Sequence, residues 1–188
     1  MAKQHNQVRI IGGEWRRRLL RFPPAADLRP TPDRVRETVF NWLGQTLEGK
    51  HCLDLFAGSG VLGFEAASRG ARRVVMVERD RAACAALLGN VGALQADNLE
   101  VRCQDALKFL NSDRRAFDIV FLDPPYQQAL LPQLLAKIVP NLAAGALVYL
   151  EAHDLPPIPP VYHIARRSRA GQVNYLLLES NGNGGEIQ

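Results

Sequence analysis

Cysteine, methionine and long apolar segments are scarce in this chain of 188 residues. The three cysteines, Cys52, Cys84 and Cys103, are an odd number without C-x-x-C spacing, so we expect reduced and mostly packed thiols rather than a disulfide framework. No apolar run approaches the roughly twenty residues that a membrane helix needs. The four histidines are scattered and form no H-E-x-x-H or similar cluster, so no metal site is predicted.

The N-terminal residues also lack the features of a secretory signal. Residues 1–7 are polar and contain no apolar core segment. Together with the unpaired cysteines, this indicates a cytoplasmic protein that does not associate with a membrane. An apolar content of 47% is sufficient for a packed core, and the length indicates one domain, or one domain with a small appendage.

The formal net charge of +4 is unevenly distributed along the chain. Residues 1–36 contain nine Lys or Arg and three Asp or Glu, a net charge of +6, so the remaining residues carry −2. Such an asymmetry suggests a polyanion-binding arm on a nearly neutral body, although a solvated appendage has the same composition. Because residues 51–63 also resemble a loop that binds a nucleotide-type cofactor, as described below, we favour nucleic-acid binding over a solvated appendage as the explanation of this charge.

The basic arm is predicted to form a β-hairpin that leads into a helix. Residues 8–11 and 14–22 flank Gly12-Gly13, which suits a tight two-residue turn. Arg16, Arg17 and Arg18 would then lie on the second strand, with guanidinium groups on both of its faces. A helix is predicted over residues 33–48, ending at a glycine C-cap.

The sequence HCLDLFAGSGVLG over residues 51–63 organises the rest of the chain. A short apolar run ends in Ala57-Gly58-Ser59-Gly60 and is followed by a helical pattern, which predicts a buried strand, a tight turn and a helix. Gly58 and Gly60 would let backbone N–H groups approach a ligand, and the helix would direct its positive N-terminus to the same place. This arrangement is typical of a loop that binds a nucleotide-type cofactor.

Strands and helices alternate after this loop. The sequence predicts strands at 73–77, 99–103, 117–122 and 146–151, helices at 80–94, 106–110 and 130–142, and a closing antiparallel pair at 163–169 and 173–179. The alternation predicts a doubly wound α/β sheet whose ligands bind at the carboxyl ends of the strands.

Three carboxylates follow three successive predicted strands and help to choose the cofactor. The glycines fit the dinucleotide pattern G-x-G-x-x-G, with Glu78 at the spacing of its acidic residue. Asp54 opposes this interpretation, because a fixed carboxylate just before the glycines would repel a pyrophosphate. S-adenosylmethionine, a zwitterionic nucleoside, fits better, with Asp54 near the amino-acid end, Glu78 at the ribose hydroxyls and Asp105 facing the adenine amine. Each carboxylate could instead have a purely structural role. Asp54 could accept hydrogen bonds from the N–H groups of the turn, and Glu78 and Asp105 could cap the helices that follow them.

Asp123-Pro124-Pro125-Tyr126, at the end of a predicted strand, is the second strong motif. Methylation of an exocyclic base amine is difficult because the nitrogen lone pair is delocalised into the ring. The Asp123 carboxylate and a backbone carbonyl can accept from the amine and localise that lone pair, while the prolines fix the backbone without offering an N–H. Tyr126 can stack on an extruded base. The predicted catalytic residues are Asp123, Pro124 and Tyr126, acting by orientation and electrostatics; an Asp-Pro turn after a buried strand is the structural alternative.

The chain resembles the bacterial methyltransferases that modify the exocyclic N2 amine of a guanine in 16S ribosomal RNA. The resemblance covers residues 8–179 and rests on RIIGG at 9–13, LRPTPDRVRETVFNWL at 28–43, DLFAGSGVLGFEA at 54–66 and DPPY at 123–126. It implies a class I S-adenosylmethionine-dependent methyltransferase with a seven-stranded, mostly parallel sheet and an N-terminal hairpin extension. It also implies that the small ribosomal subunit is the substrate.

The same resemblance implies roles for individual residues. Thr31 would help to close over the methionine end of the cofactor, and arginines of the basic arm would contact RNA phosphate. The predicted cofactor-binding residues are Thr31, Asp54, Phe56, Gly58, Gly60, Glu78, Arg79, Asp105 and Ala106. The predicted RNA-binding residues are Arg9, Arg16, Arg17, Arg18 and Arg34. The expected organisation is a basic extension at 1–27, a methyltransferase domain at 28–180 and a flexible tail at 181–188.

Other functions remain open from the sequence. The same chemistry could serve DNA adenine or a protein glutamine amide, although no segment is long enough for a DNA-recognition insertion and a protein substrate would not require the basic arm. A non-catalytic RNA-binding protein of the same fold would not need an intact Asp123 motif. An NAD-dependent dehydrogenase ranks last, because hydride transfer has no use for that motif. Nothing in the sequence requires a dimer, so we expect a monomer that binds 16S ribosomal RNA or the small ribosomal subunit.

Overall fold

A central sheet of seven strands carries helices on both faces, and a separate two-stranded sheet packs against one side. The computed structural model describes residues 6–24, 30–124 and 130–181. The strands, in chain order, are β1 (Asn6–Arg9), β2 (Leu19–Phe22), β3 (His51–Asp54), β4 (Arg73–Glu78), β5 (Leu99–Cys103), β6 (Phe117–Leu122), β7 (Leu142–Ala152), β8 (Tyr162–Ala170) and β9 (Val173–Ser180). The helices are α1 (Asp33–Leu43), α2 (Val61–Ser68), α3 (Arg81–Leu94), α4 (Ala106–Ser112) and α5 (Leu131–Lys137), with a 3₁₀ turn at Val139–Asn141.

The large sheet has the strand order β5-β4-β3-β6-β7-β9-β8. The five strands from β3 to β7 are parallel, β9 pairs with β7 in antiparallel orientation, and β8 pairs with β9 in antiparallel orientation. The chain first builds outward from β3 to β5 and then returns to the other side of β3 at β6. A topological switch point, where such sheets bind ligands, therefore lies between β3 and β6. The predicted doubly wound sheet with a closing antiparallel pair is confirmed.

The inner strands are apolar on both faces because helices cover both sides of the sheet. On β4, Val74 and Met76 belong to one hydrophobic cluster, whereas Val75 and Val77 belong to the other. The first cluster includes residues of α1, α2, α3 and the hairpin, and the second includes residues of α4 and α5. All five helices take part in this packing, and none in the described part of the chain is both long and apolar enough to cross a membrane.

The basic arm forms the predicted hairpin, but its turn differs from the predicted one. β1 and β2 pair in antiparallel register, and a longer connection joins them. Gly12 and Gly13 do not form a two-residue turn; they lie against the end of α2, where a Cβ on Gly13 would be 1.9 Å from the carbonyl oxygen of Ser68. The placement of Arg16, Arg17 and Arg18 on the second strand is therefore wrong, since all three lie in the connection before β2.

Helix α2 is enclosed between the sheet and the hairpin. All eight of its residues are buried, including Glu65 and Ser68. The Glu65 carboxylate accepts hydrogen bonds from the N–H groups of Ile11 and Gly12, at 2.6 and 3.2 Å. The Ser68 hydroxyl donates to the carbonyl of Gly12 at 2.6 Å. The apolar residues of this helix can therefore be buried on every side, while its two polar side chains satisfy the backbone of the hairpin.

Helix α1 is shorter than predicted and carries a buried arginine. It ends at Leu43 instead of residue 48, because Gly44 adopts a φ of +102°, outside the helical region. Its buried residues are Val35, Arg36, Val39 and Phe40. The Arg36 side chain is completely buried (0% exposed).

Candidate active site

The carboxyl ends of five parallel strands surround a cavity of about 750 Å³. Asp54 ends β3, Glu78 ends β4, Asp105 follows β5, Asp123 follows β6 and Glu151 lies near the end of β7, and all five residues line the cavity. This is the position at which open α/β sheets bind ligands, beside the switch point between β3 and β6. The structure thus brings together the three acidic residues that the sequence assigned to one crevice.

The glycine loop lies between β3 and α2 as predicted, but its glycines differ in role. Gly58 lines the cavity with a φ of +51° and donates its N–H to Glu78 Oε2 at 2.8 Å. Gly60 is not among the described residues that line the cavity. It precedes α2 with a φ of +78°, and a Cβ there would meet Leu87 and Phe64 at 2.4 and 2.8 Å. Close packing explains Gly60, and its contact with the cofactor stays a prediction.

Asp54 lies at the base of the loop and is almost entirely buried (4% exposed). Its Oδ2 accepts a hydrogen bond from the N–H of Gly63 at 3.0 Å. Asp54 therefore does bind the backbone that follows the glycine turn, which was the purely structural role considered for it from the sequence. Burial, with the nearby Glu78 carboxylate, raises the pKa of Asp54 to about 7. A cation beside Asp54 would favour its ionised form, so this carboxyl group suits a positively charged ligand.

Glu78 and Asp105 accept backbone hydrogen bonds and also line the cavity. Glu78 Oε1 accepts from the N–H groups of Arg79 and Asp80, both at 2.8 Å, while Asp80 itself is the N-cap of α3. Asp105 is the N-cap of α4, which is the structural role that the sequence analysis considered for it. The other predicted cofactor-binding residues that line the cavity are Thr31, Phe56, Arg79 and Ala106. Contacts of Glu78 with ribose and of Asp105 with adenine stay predictions.

The Asp123 motif begins on the cavity wall at the end of β6. Asp123 and Pro124 line the cavity, whereas Tyr126 lies outside the described residues, so its stacking on a base stays a prediction. Burial, followed by the charges of Glu151 and Asp54, raises the pKa of Asp123 well above its usual range. Within the described part of the chain, no group donates a hydrogen bond to the Asp123 carboxylate. Its position on the cavity wall brings this carboxyl group to the space that a ligand would occupy.

Glu151 is a residue of this cavity that the sequence analysis missed. Its Oε1 accepts hydrogen bonds from the hydroxyl groups of Tyr149 and Thr31, at 2.7 and 3.2 Å. Burial raises the pKa of Glu151. A signal was present in the sequence, because Glu151 ends the apolar run ALVYLE in the same way that Glu78 ends VVMVE.

Thr31 connects the cavity wall to a buried ion-pair network. Its hydroxyl donates to Glu151, and its carbonyl oxygen accepts from Arg36 Nε at 3.0 Å. The Arg36 guanidinium also contacts Glu65 at 2.7 Å and Asp33 at 2.5 Å. Because guanidinium donors have a fixed planar geometry, these contacts fix the relative positions of α1, α2 and the cavity wall.

The sequence matches the family model described as Conserved hypothetical protein 95 over residues 8–179. The chain belongs to this family. Ribosomal RNA small subunit methyltransferase D of Escherichia coli strain K12 is 43% identical over 183 residues, which are 95% of this chain and 92% of that protein. The protein of the same name from Haemophilus influenzae is 40% identical over 182 residues, with 93% and 94% covered. The solved structure of Escherichia coli yhhF matches with a TM-score of 0.86 at 43% identity and covers 95% of this chain and 100% of that one.

The predicted family and the methyltransferase fold are confirmed by these similarities. A Streptococcus mutans methyltransferase structure, 15% identical, matches over 95% of this chain with a TM-score of 0.70, which shows the same fold. The prediction of an enzyme that uses S-adenosylmethionine is likewise confirmed. Among the residues that the structure describes, no group of three or more His, Cys, Asp or Glu side chains is arranged to hold a metal ion.

In this member of the Conserved hypothetical protein 95 family, the predicted RNA-binding arginines fall into two groups. Arg9 is mostly exposed and pairs with Asp33 at 2.9 Å, beside the start of α1, where Arg34 is also exposed. The second group, Arg16–Arg18, lies near the C-terminal ends of α2 and α3, where an Arg18 donor reaches the Ala93 carbonyl at 3.3 Å. Val61 and Leu62, which line the cavity, lie at the opposite, N-terminal end of α2, a helix about 12 Å long.

Proposed function

We propose that this protein transfers a methyl group from S-adenosylmethionine to the exocyclic N2 amine of a guanine in 16S ribosomal RNA of the small ribosomal subunit. The observation that carries the proposal is the position of Asp123 and Pro124 in the same cavity as Asp54, Gly58 and Glu78. The names of the relatives that are 43% and 40% identical, both small subunit ribosomal RNA methyltransferases, support the substrate class.

The cavity fits S-adenosylmethionine in size and in charge. Its volume of about 750 Å³ lies within the range of roughly 300–1,000 Å³ that is common for small-molecule sites. Asp54, a buried carboxyl group with a raised pKa, would hold the end that carries the ammonium group. Glu78 and Asp105 would hold the adenosine end. When bound, the cofactor supplies a methyl group on a positively charged sulfur.

Asp123 and the adjacent backbone would hold the target amine. An N–H of the amine donates to the carboxylate, which localises the nitrogen lone pair for attack, and Pro124 has no N–H to compete for the acceptor. The carboxyl group of Asp123, whose pKa is raised by burial, would take the proton that the amine releases. Catalysis then consists of orientation and electrostatic stabilisation, without a covalent enzyme intermediate.

The RNA would be bound by the exposed arginines of the arm. Arg9 and Arg34 would contact phosphate beside α1, and Arg16, Arg17 and Arg18 would contact phosphate farther along the same strand of RNA. Because bacterial ribosomes are assembled in the cytoplasm, we expect the protein to act there, as a monomer. The domain limits of 1–27, 28–180 and 181–188 remain part of this proposal.

The test is methyl transfer from labelled S-adenosylmethionine to unmodified small ribosomal subunits, naked 16S RNA, DNA and a protein lysate, followed by nucleoside analysis. We expect N2-methylguanosine in RNA. Asp123→Ala should lower the rate by roughly 100-fold or more, because an acceptor at the reacting amine is lost. Asp118→Asn is the matched control, since Asp118 lies on the same strand outside the cavity and accepts from the His51 N–H.

The other outcomes discriminate between the alternatives. Label in DNA or protein would support methyl transfer to an amine but would show that the proposed RNA substrate is wrong. If the cofactor binds without any transfer, the protein is an RNA-binding member of the fold and the role of Asp123 is wrong. A full rate in Asp123→Ala would contradict the catalytic assignment alone.

A further inference from the structure

Glu151 and Asp123 lie side by side at the end of the sheet. β6 and β7 are parallel, and their register pairs Leu122 with Leu150. The next position on each strand is therefore Asp123 and Glu151, and neighbouring strands are about 4.8 Å apart. Both residues line the cavity, and the charge of Glu151 contributes to the raised pKa of Asp123.

One oxygen of the Glu151 carboxylate is engaged by the protein, and the other is not. Oε1 accepts from Tyr149 and Thr31, at 2.7 and 3.2 Å. In residues 6–24, 30–124 and 130–181, no group donates to Oε2 or to either oxygen of Asp123. Because Tyr149 is fully buried and Thr31 nearly so, the carboxylate of Glu151 is held in a fixed orientation beside the proposed methylation site.

Asp123 by itself does not distinguish guanine from other bases, because adenine and cytosine also carry an exocyclic amine. The ring atom next to that amine differs. In guanine, N1 carries a hydrogen and is a donor, whereas adenine N1 and cytosine N3 are acceptors. When both carboxyl groups are ionised, they match the two adjacent donors of guanine and repel the lone pair that the other bases present. The two N–H groups of a bound guanine favour these ionised forms, because hydrogen bonds donated to a carboxylate lower its pKa.

We propose that Glu151 determines the specificity for guanine, by accepting the N1–H of the target base through Oε2 while Asp123 accepts from the N2 amine. The inference rests on the proposed function, because it explains how the protein would recognise the guanine that it is proposed to methylate. Tyr149 and Thr31 are positioning residues, since they act on the base through Glu151. A base extruded into the cavity is read along its Watson–Crick edge, which is the edge that carries both donors.

The test compares guanine with 2-aminopurine at the target position of the RNA. 2-Aminopurine keeps the N2 amine, but its N1 is an acceptor. The substrates are 16S RNA fragments that carry one base or the other at the position mapped by nucleoside analysis, and kcat/KM is measured for each. We expect the wild-type protein to favour guanine by about 100-fold or more, because a site built to accept a hydrogen bond rejects an analogue without the donor.

Glu151→Gln is the decisive variant. Glutamine is nearly isosteric, keeps an acceptor for Tyr149 and Thr31, and can donate to N1 of 2-aminopurine. We expect the guanine to 2-aminopurine ratio to fall about tenfold or more, while the Kd for S-adenosylmethionine from equilibrium dialysis stays at the wild-type value. The control is Glu179→Gln on β9, a residue with a partly exposed side chain outside the cavity, which should leave both kcat/KM values unchanged.

An unchanged ratio in folded Glu151→Gln overturns the inference. Weaker binding of S-adenosylmethionine with an unchanged ratio also overturns it, because Glu151 would then contact the cofactor. If this variant does not fold, Tyr149→Phe takes its place: loss of one anchor of the carboxylate should lower the ratio, and an unchanged ratio contradicts the inference. Absence of N2-methylguanosine from the wild-type reaction overturns the proposed function itself, before any variant is compared.

Discussion

Buried carboxyl groups destabilise a protein at neutral pH when no cation balances them, and several such groups line this cavity. The pKa values of Asp54, Asp123 and Glu151 are all raised, and burial is the largest cause for each. Strongly shifted groups that share a cleft with a glycine loop are typical of functional sites. These groups therefore lower the free energy of unfolding of the free protein at neutral pH, and a bound cation would offset this loss.

Asp54 provides a test of this cost. Its native pKa of about 7 lies above the ordinary value of 3.8, so the native state binds more protons than the unfolded state between these values. The free energy of unfolding should therefore fall as the pH rises from about 4 to about 7. Asp54→Asn removes this contribution, which is at most about 4 kcal/mol at about 1.4 kcal/mol per pKa unit.

The measurement is urea unfolding of the wild-type protein and Asp54→Asn, without cofactor, across that pH range. We expect the variant to have the flatter pH profile and the weaker affinity for S-adenosylmethionine. Parallel profiles for the two proteins would show that Asp54 titrates normally and that the charge argument is wrong.

Gly60 tests whether a glycine of the loop serves packing. Gly60→Ala would place a Cβ against Leu87 and Phe64, both fully enclosed, at a φ of +78°. We expect a loss of roughly 2–4 kcal/mol in the free energy of unfolding, from the clash and the left-handed backbone together. Gly49→Ala is the matched control, because its φ is +76° and no heavy atom lies within 4 Å of the added Cβ. Gly49→Ala should lower the free energy of unfolding by about 1 kcal/mol. An equal loss in both variants would show that contact with Leu87 and Phe64 adds nothing to the cost at Gly60.

At the scale of elements, the hairpin and α2 depend on one buried pair of charges. Arg36 contacts Glu65, the carbonyl of Thr31 and the carbonyl of Arg9, while Glu65 accepts from the backbone of the hairpin. Four segments of the chain therefore share a single charged cluster. A shift of the hairpin would be transmitted to Thr31, and through it to Glu151.

Removal of the Glu65 charge should destabilise the whole assembly. Glu65→Gln replaces an acceptor by a donor that faces the N–H of Gly12 and the side chain of Arg69, so we expect a loss of about 3–5 kcal/mol, as for other broken buried pairs. Lys50→Gln breaks the partly exposed pair with Asp118 at 3.8 Å and should lose less than about 1 kcal/mol. Denaturant unfolding measures both. Similar losses would show that the buried network contributes no more than a surface pair.

Elements with strong local signals were predicted closely, and those shaped by distant contacts were not. The predicted limits of β5 and β6 coincide with the observed Leu99–Cys103 and Phe117–Leu122, because apolar runs bounded by turn residues specify buried strands locally. The turn at Gly12-Gly13 was misread, since a Cβ on Gly12 would meet the Arg69 side chain and a Cβ on Gly13 would meet Ser68, and both neighbours are distant in sequence.

At the scale of the molecule, the basic arm is part of the folded body. Ile10 and Leu20 are fully buried in the first hydrophobic cluster, and the backbone of Arg21 exchanges hydrogen bonds with Asn90 of α3 at 3.1 and 2.8 Å. Deletion of residues 1–22 would therefore expose the core. Neutralisation of exposed arginines is the cleaner test of RNA binding.

The double variant Arg16→Gln/Arg17→Gln tests the arm without disturbing the core. We expect the plot of log Kd for 16S RNA against log salt concentration to become less steep by roughly 1.5, at about 0.7–0.9 for each lost phosphate contact. The affinity for S-adenosylmethionine should not change. Arg166→Gln/Arg167→Gln removes the same charge from β8, the outermost strand of the sheet, and should keep the wild-type slope. Equal changes of the slope in both double variants would mean that RNA binding depends only on the net charge of the protein.

The sequence by itself determined the fold class, the glycine loop between β3 and α2, and the Asp123-Pro124 motif that is proposed to be catalytic. Each of these depends on residues close together in the chain, where apolar periodicity, glycine and proline act through local geometry. Only the tertiary structure placed Glu151 beside Asp123, buried Arg36 against Glu65, and divided the arginines between the start of α1 and the C-terminal ends of α2 and α3. These arrangements depend on strand register and on packing between segments that are far apart in sequence, and no local pattern specifies either.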